Sequence, residues 1–223
     1  MTNELTLFFQ LFLVFAFCYG AFRLGREALI GAVTFLTLLA NLFVLKQIPL
    51  FSFVVTASDA FAIGSILSIN LLREFYGKES AKKAISICFF TMIFFVTFSG
   101  IHLAFNPSFA DSAHLAYARL LKPAPRLLFA SLLVFFVIQQ LDLRLFGWIS
   151  RVLPRSSFPV RSGISLITSQ FFDTLLFSLI GLYGLMANLT HVTLISFLLK
   201  AAMVFAIGPL LTLFKKMEHN VRF

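Results

Sequence analysis

Two pairs of polar side chains lie within strongly apolar stretches of the chain. Gln139 with Asp142, and Gln170 with Asp173, each have an i, i+3 spacing. On a helix this spacing places the carboxamide and the carboxylate on one face, one turn apart. A carboxylate at the centre of a bilayer costs roughly 3 kcal/mol on insertion scales, so it persists mainly where it meets a partner, a cavity or a substrate. The pairs therefore predict a polar site inside a membrane protein.

Other polar residues fall within apolar stretches: Asn41, Asp59, Asn70, Gln140 and Lys200. Lys200 is the only cation of this set, so a salt bridge to Asp173 or Asp59 explains it as well as a substrate contact does. For Gln170 with Asp173 a ligand contact is favoured, because interhelical hydrogen bonds usually use Ser, Thr or Asn without a charge. Asp142 lies where its helix could end, so a solvated position at the membrane interface is an equal alternative.

The third apolar stretch ends in a short polar segment. Asn70 and Glu74 have an i, i+4 spacing and share a helix face, and Gly77 is expected to end the helix. Lys78 and the basic residues after it would anchor the helix at the membrane surface. By itself this pattern indicates a solvated helix end, with Glu74 paired to Lys78.

The composition sets the class of protein. Hydrophobic residues make up 60% of the 223 residues and charged residues only 12%, which is typical of an integral membrane protein. Stretches of about 20 apolar residues, the length that crosses a bilayer, recur along the chain. They predict an all-α, polytopic bundle of seven transmembrane helices: Leu5–Phe22, Ala28–Leu45, Phe51–Leu72, Ala84–Phe105, Leu127–Phe146, Ile164–Met186 and Val192–Phe214.

The basic residues predict the orientation of these spans. They concentrate after the first, third, fifth and last spans, as in Arg23, Lys82, Arg151 and Lys215. Cytoplasmic loops carry the excess of Lys and Arg, so the N-terminus is expected outside and the C-terminus in the cytoplasm. The net charge of +9 is then explained by topology and anionic lipid, and no nucleic-acid partner is predicted. The first span lacks a basic start and a cleavage site, so we expect a retained helix.

Signatures of enzymes and of metal sites are missing from the sequence. It contains no HExxH, no GxSxG and no Walker loop, so we expect a protein that is not an enzyme. Cys18 and Cys88 are isolated, and the four histidines are scattered, so neither a metal site nor a cofactor is predicted.

Taken together, the ordered polar residues resemble the motifs of the queuosine precursor transporter family, also called the vitamin uptake transporter family. The run from Asn70 through Glu74 and Tyr76-Gly77-Lys78 resembles one family motif. The later elements are similar too, over roughly Gly31 to Phe214: Gln139-x-x-Asp142 before Phe146, Ser169-Gln170-x-x-Asp173-Thr174 before Phe177, Lys200, and Asn41 ahead of a Lys-Gln-Ile turn. The position of Asn70 is commonly aspartate in the family.

The resemblance implies a fold, a location and a function. It implies a six-helix core, residues 28–216, similar to the substrate-binding components of energy-coupling factor transporters, with an extra N-terminal helix in residues 1–27 and a cytoplasmic tail in residues 217–223. Such proteins import 7-deazaguanine bases or queuine for transfer RNA modification, and we expect a bacterial plasma membrane. The substrate-binding residues implied are Asn41, Asn70, Glu74, Gln139, Asp142, Gln170, Asp173 and Lys200.

The chemistry of the polar residues suits such a substrate. A guanine-like edge presents a ring N–H, an exocyclic amine and a carbonyl oxygen. Asp173 would accept hydrogen bonds from the two donors and Gln170 would donate to the carbonyl. The opposite edge or an aminomethyl substituent could be read by Asn41, Asn70 and Glu74. Two alternatives are a substrate-capture subunit that needs a separate ATP-hydrolysing module and a scaffold that transports nothing. A proton carried by Asp59, Asp173 or Lys200 is a further hypothesis for energy coupling.

Overall fold

The chain is helical apart from one short hairpin. The computed structural model describes residues 2–155 and 158–219, without the side chains of residues 139, 142, 143, 146, 158–160, 162 and 206–219. The helices are α1 (Asn3–Leu24), α2 (Arg26–Phe43), α3 (Asp59–Tyr76), α4 (Lys78–Leu103), α5 (His114–Leu121), α6 (Ala124–Val152), α7 (Phe158–Phe177) and α8 (Leu189–His219). A π-helical turn, Ser178–Leu182, follows α7, and strands β1 (Gln47–Leu50) and β2 (Phe53–Thr56) precede α3.

Several of these helices match a bilayer in length and composition. Among the described residues, five stretches are long and apolar enough to cross a membrane: Asn3–Leu24, Arg26–Phe43, Lys78–Leu103, His114–Ile138 and Gly163–Leu182. Part of α8, Leu189–Phe205, is apolar over a shorter length. The prediction of an all-α, multi-pass membrane protein is confirmed. The short helix α5 was not predicted.

The predicted third span is wrong in its first third. Residues 47–56 form an antiparallel hairpin in which Gln47 pairs with Thr56, and α3 begins only at Asp59. The hairpin sequence is rich in β-branched residues, which favour strands. Its two-residue turn has positive φ angles of 46° at Phe51 and 69° at Ser52. Asp59 therefore lies in the first turn of α3, where the helix dipole favours a carboxylate, and not in the middle of a helix.

The N-terminus of α1 holds the hairpin in place. The side-chain amide of Asn3 donates a hydrogen bond to the Pro49 carbonyl oxygen at 2.8 Å. The backbone N–H of Phe51 donates to Glu4 Oε1 at 3.1 Å, which gives this N–H group of the turn a hydrogen-bond partner. Because both contacts join residues more than forty positions apart, the hairpin belongs to the packed structure of this part of the chain.

The chain divides into two compact units, and the first extends to Phe129. Here α3 packs against α1, α2 and α4. The approach of α1 to α3 is close, because Cys18 Sγ lies 3.5 Å from the Gly64 carbonyl oxygen and 3.4 Å from Ser68 Oγ. Cys18, Ser68 and Leu67 are fully buried at this contact. The predicted extra helix therefore packs directly on the helix that carries Asn70.

The second unit begins at Ala130 and is built around α7 and α8. Small polar residues at four- and five-residue intervals are buried along α7 and at the start of the π-helical turn: Ser165, Ser169, Thr174 and Ser178. Small side chains let helices approach closely where lipid offers no hydrophobic driving force between them. At Gly181 in the π-helical turn, an added Cβ would lie only 3.2 Å from Ala130 Cβ. This close packing positions the polar groups of α7 and α8.

Candidate functional site

An ion pair joins α7 to α8 in the second unit. Lys200 Nζ donates to Asp173 Oδ2 at 2.9 Å and to Thr174 Oγ1 at 3.3 Å. The side chain of Lys200 is 13% exposed and that of Asp173 31%. Of the two salt bridges that the sequence allows, the structure therefore contains the one with Asp173. The atom of this carboxylate that accepts from Lys200 is Oδ2.

Gln170 lies one turn before Asp173 on α7 and has an unsatisfied amide. Its Oε1 is buried and accepts no hydrogen bond. The residue as a whole is half-buried, and the atom without a partner is this oxygen. A buried polar group without a partner costs about 1–3 kcal/mol, and such groups are rare unless they serve a function. The side chain is thus in a state suited to receive a ligand.

These side chains form a small site of complementary groups on α7 and α8. Asp173 supplies an acceptor, Gln170 supplies a carboxamide that can both donate and accept, and Lys200 balances the charge of Asp173. Thr174 Oγ1 donates to the Gln170 carbonyl oxygen at 2.9 Å while it accepts from Lys200. The arrangement can bind the edge of a flat molecule that carries adjacent donors and an acceptor. It contains no nucleophile paired with a base among the described residues.

Three of the predicted site residues, Asn41, Asn70 and Glu74, belong to the first unit. Asn41 donates its side-chain N–H to the Thr37 carbonyl oxygen at 2.9 Å, and Asn70 donates to the Ile66 carbonyl oxygen at 2.8 Å. Both amides thus bond the backbone of their own helix. Glu74 is exposed near the end of α3, and that helix ends at Gly77 (φ 83°), as predicted.

The other predicted pair lies on α6. The side chains of Gln139 and Asp142 are outside the described residues. The backbone of α6 is helical through this point and continues to Val152, which is ten positions beyond Asp142 (152 − 142). The helix therefore does not end at Asp142, and a solvated position of this residue at the membrane interface stays a prediction.

Some features of the molecule were missed by sequence reasoning. Thr174 contacts Lys200, and its i, i+4 spacing from Gln170 was the available signal. In the first unit, a cavity of about 590 Å³ lies between α1, α2, the hairpin and the start of α3, with Gln10 and Lys46 among its mostly apolar lining. A second hollow, of about 360 Å³, is lined by aromatic residues including His102 and Tyr117. Both combine residues from several elements, so periodicity within one element gives no sign of them.

Metal binding finds no support in the part of the chain that the structure describes. Within it, no group of three or more His, Cys, Asp or Glu side chains could hold a metal ion. Cys18 and Cys88 are both buried and unpaired with each other.

Comparison with known proteins agrees with the motifs. The profile of a family described as "Putative vitamin uptake transporter" matches residues 56–214. A protein of Bacillus subtilis (strain 168) described as "Probable queuosine precursor transporter" is 29% identical over 223 residues, 98% of this chain and 96% of that protein. No solved structure matches the chain.

Proposed function

The chain belongs to the vitamin uptake transporter family, and from this premise we propose that it imports a 7-deazaguanine base destined for queuosine. It is a multi-pass membrane transporter, because family and relative are transporters, not enzymes, and several helices are apolar enough to span a bilayer. The choice of a guanine-like base rests on one observation. One helical turn before Asp173, which pairs with Lys200, the buried Oε1 of Gln170 accepts no hydrogen bond.

In this proposal, α7 binds the hydrogen-bonding edge of the base. Asp173 accepts from the ring N–H and the exocyclic amine, and Gln170 completes the edge by bonding the carbonyl oxygen. A carboxylate and a carboxamide one helical turn apart match the donor and acceptor order of that edge. Lys200 stays beside Asp173 and keeps the carboxylate charge balanced within the membrane. Gln170 is the residue whose bonding changes most when the base arrives.

The remaining predicted contacts are separate proposals. Asn41, Asn70 and Glu74 in the first unit, and Gln139 and Asp142 on α6, are proposed to contribute to substrate recognition. A separate substitution tests each of them. The amides of Asn41 and Asn70 already donate to the backbone of their own helices, so a substrate contact would use the side-chain oxygen or replace that hydrogen bond.

We also propose how the protein sits in the membrane. The distribution of basic residues supports a plasma membrane location with the N-terminus outside and the C-terminus in the cytoplasm. A core of residues 28–216 similar to the substrate-binding components of energy-coupling factor transporters is proposed on the sequence motifs. Import requires that the α7–α8 site open to each side of the membrane in turn.

The test of the function is uptake of labelled bases. The protein is expressed in bacteria that cannot make queuosine and lack their own carrier, and the nitrile precursor, the aminomethyl precursor and queuine are each supplied. We expect saturable uptake of at least one base. Asp173→Asn and Gln170→Leu should each reduce it by about 5- to 150-fold, because about 1–3 kcal/mol of hydrogen bonding to a charged or buried group is lost.

Matched controls separate binding from folding. Asp111→Asn repeats the change made in Asp173→Asn, but in an exposed loop, and Gln140→Leu repeats the change made in Gln170→Leu at an exposed position of α6. Both control variants should leave uptake unchanged. The amount of each variant in the membrane is measured alongside. If the wild-type protein inserts and takes up none of the three bases, the proposed function is wrong. If uptake occurs and both site variants transport normally, the proposed site is wrong.

A further inference from the structure

The cavity between α1, α2 and the hairpin is a groove about as long as one leaflet of a bilayer. Its apolar lining on α1 extends from Leu7 to Phe17, which is ten positions (17 − 7) and about 15 Å at 1.5 Å of rise per residue. The hydrocarbon core of a bilayer is about 30 Å thick, so one leaflet spans about 15 Å. Phe17 and Phe35 are the lining residues farthest from the hairpin, and their ring centroids lie 6.1 Å apart. We call this cavity the α1–α2 groove, and its mouth is at Asn3 and Lys46.

The α1–α2 groove is open towards lipid. Leu13, Phe17 and Phe35 are exposed, and α1 and α2 are both apolar enough to cross a membrane. At this depth the surrounding medium is hydrocarbon and not water, so an acyl chain fills the space between these side chains. A helix about 15 Å long and 10 Å wide occupies about 1,200 Å³. The groove holds about 590 Å³, so it fits a slender chain better than a helix of a second protein.

The mouth of the α1–α2 groove is positively charged. Lys46 is exposed and lies three residues (46 − 43) beyond the end of α2, where a chain that leaves the hydrocarbon meets the lipid headgroups. It is the one charged residue among the described residues that line the groove. Two carboxylates near the hairpin do not line it: Glu4 Oε1 accepts from the backbone N–H of Phe51, and Asp59 is buried. The mouth therefore attracts an anion.

We propose that the α1–α2 groove is a binding site for one anionic phospholipid. One acyl chain lies along the apolar lining, and the phosphate lies against the ammonium group of Lys46. An anionic headgroup is attracted to a basic residue at the membrane surface, which selects this lipid over a zwitterionic one. This lipid site is independent of the transported molecule and so extends beyond the proposed function.

A lipid in the α1–α2 groove stabilises the packing around it. Two polar residues of the lining already tie α1 to the segment that contains the hairpin. Asn3 donates to the Pro49 carbonyl oxygen at 2.8 Å, and Gln10 Nε2 donates to the Ala57 carbonyl oxygen at 3.5 Å. The bound lipid contacts α1, α2 and the hairpin at once, so it stabilises the folded protein by mass action.

The test is titration of the full-length protein, purified in detergent, with two phospholipids. Phosphatidylglycerol and phosphatidylcholine carry the same acyl chains and differ in headgroup charge. Thermal unfolding is recorded at each lipid concentration, and native mass spectrometry counts the bound lipids. In the wild-type protein, phosphatidylglycerol should reach half of its maximal stabilisation at a concentration about fivefold lower than phosphatidylcholine, because one basic residue near an anionic headgroup contributes about 1 kcal/mol.

Three variants assign the headgroup preference to Lys46. Lys46→Gln removes the charge at the mouth and should reduce the preference from about fivefold to less than about twofold. Lys46→Arg keeps the charge and should keep the preference. Lys122→Gln removes an exposed lysine of the first unit that does not line the groove, and it should also keep the preference.

Two further variants test the groove itself. Leu13→Trp places a larger side chain in the lining and should raise the half-maximal concentrations of both lipids at least about threefold, because it occupies the space of the acyl chain. Leu5→Trp makes the same change at an exposed position of α1 outside the lining and should change neither concentration.

Each outcome bears on one part of the proposal. Equal stabilisation of the wild type by the two lipids, or a preference that survives Lys46→Gln, overturns the assignment of an anionic headgroup to Lys46. Equal effects of Leu13→Trp and Leu5→Trp overturn the binding of an acyl chain in the groove. A dimer in the mass spectrum that Leu13→Trp dissociates would place a second copy in the groove and overturn the lipid site. If Lys46→Gln fails to insert, the wild-type preference and the two tryptophan variants decide.

Discussion

At Gly64 the helix α3 packs closely against α1 and α2, and replacement of this glycine by alanine provides a sharp test of that packing. A Cβ added at Gly64 would lie 2.3 Å from Val14 Cγ1 of α1 and 3.0 Å from Leu36 Cδ1 of α2. Ordinary contacts begin at 3.4 Å, so Val14 would have to retreat by about 1.1 Å (3.4 − 2.3). Val14 is branched at Cβ and 5% exposed, and it has little freedom to turn away.

The expected cost follows from overpacking a close-packed core. Extra methyl groups in well-packed cores cost about 1–3 kcal/mol. Alanine also favours the helix over glycine by up to about 1 kcal/mol, which partly hides this cost. Gly31→Ala is the matched control, because it lies within α2 and has no heavy atom within 4 Å of its added Cβ. Relative to that control, Gly64→Ala should be less stable by about 2 kcal/mol, which is a fall in melting temperature of roughly 4–8 °C.

The assay is thermal unfolding of the purified proteins in detergent, together with uptake. Val14→Ala removes the clashing methyl group, so the double variant should recover at least half of the loss caused by Gly64→Ala. Uptake should fall in Gly64→Ala and should recover, together with the stability, in the double variant. The reason is that α3 carries Asn70 and Glu74. Equal stability of Gly64→Ala and Gly31→Ala, or no recovery in the double variant, would refute the packing of α1 against α3 described above.

Three further predictions concern the site and the topology. Removing one member of the ion pair, as in Lys200→Met or Asp173→Leu, should lower the free energy of unfolding by about 3–5 kcal/mol, and removing both should lower it by clearly less than the sum. Unfolding of the wild type, the two single variants and the double variant measures this coupling, and additive losses would contradict it. Thr174→Val removes one acceptor of Lys200 and should cost only about 0.5–1.5 kcal/mol in the same assay, so a loss as large as that of Lys200→Met would be inconsistent with its secondary role. A cysteine placed at Asp111 should react with a membrane-impermeant thiol reagent in intact cells, and one placed at Arg155 only after lysis, since both native cysteines are buried. The reverse pattern would invert the proposed orientation.

The spans could be predicted from sequence because a bilayer imposes a simple requirement. Backbone groups in lipid must bond within the segment, so each crossing is a helix of about 20 apolar residues, as in α1 and α4. Gly77 was found for an equally local reason, since its positive φ angle suits glycine at a helix end. The hairpin was missed because residues 51–58 are apolar enough to extend the next helix. Its strands depend on pairing across the turn and on contacts with Asn3 and Glu4 of α1.

The sequence by itself determined that this is a multi-pass membrane protein, which family it belongs to, and which polar residues are out of place in lipid. These conclusions need only composition, spacing and motif order. Tertiary structure decided that Lys200 pairs with Asp173, that the buried Oε1 of Gln170 accepts no hydrogen bond, and that α1 packs on α3. Such contacts join residues 27 or 46 positions apart, and their geometry depends on how the helices pack, which the pattern within a single helix does not specify.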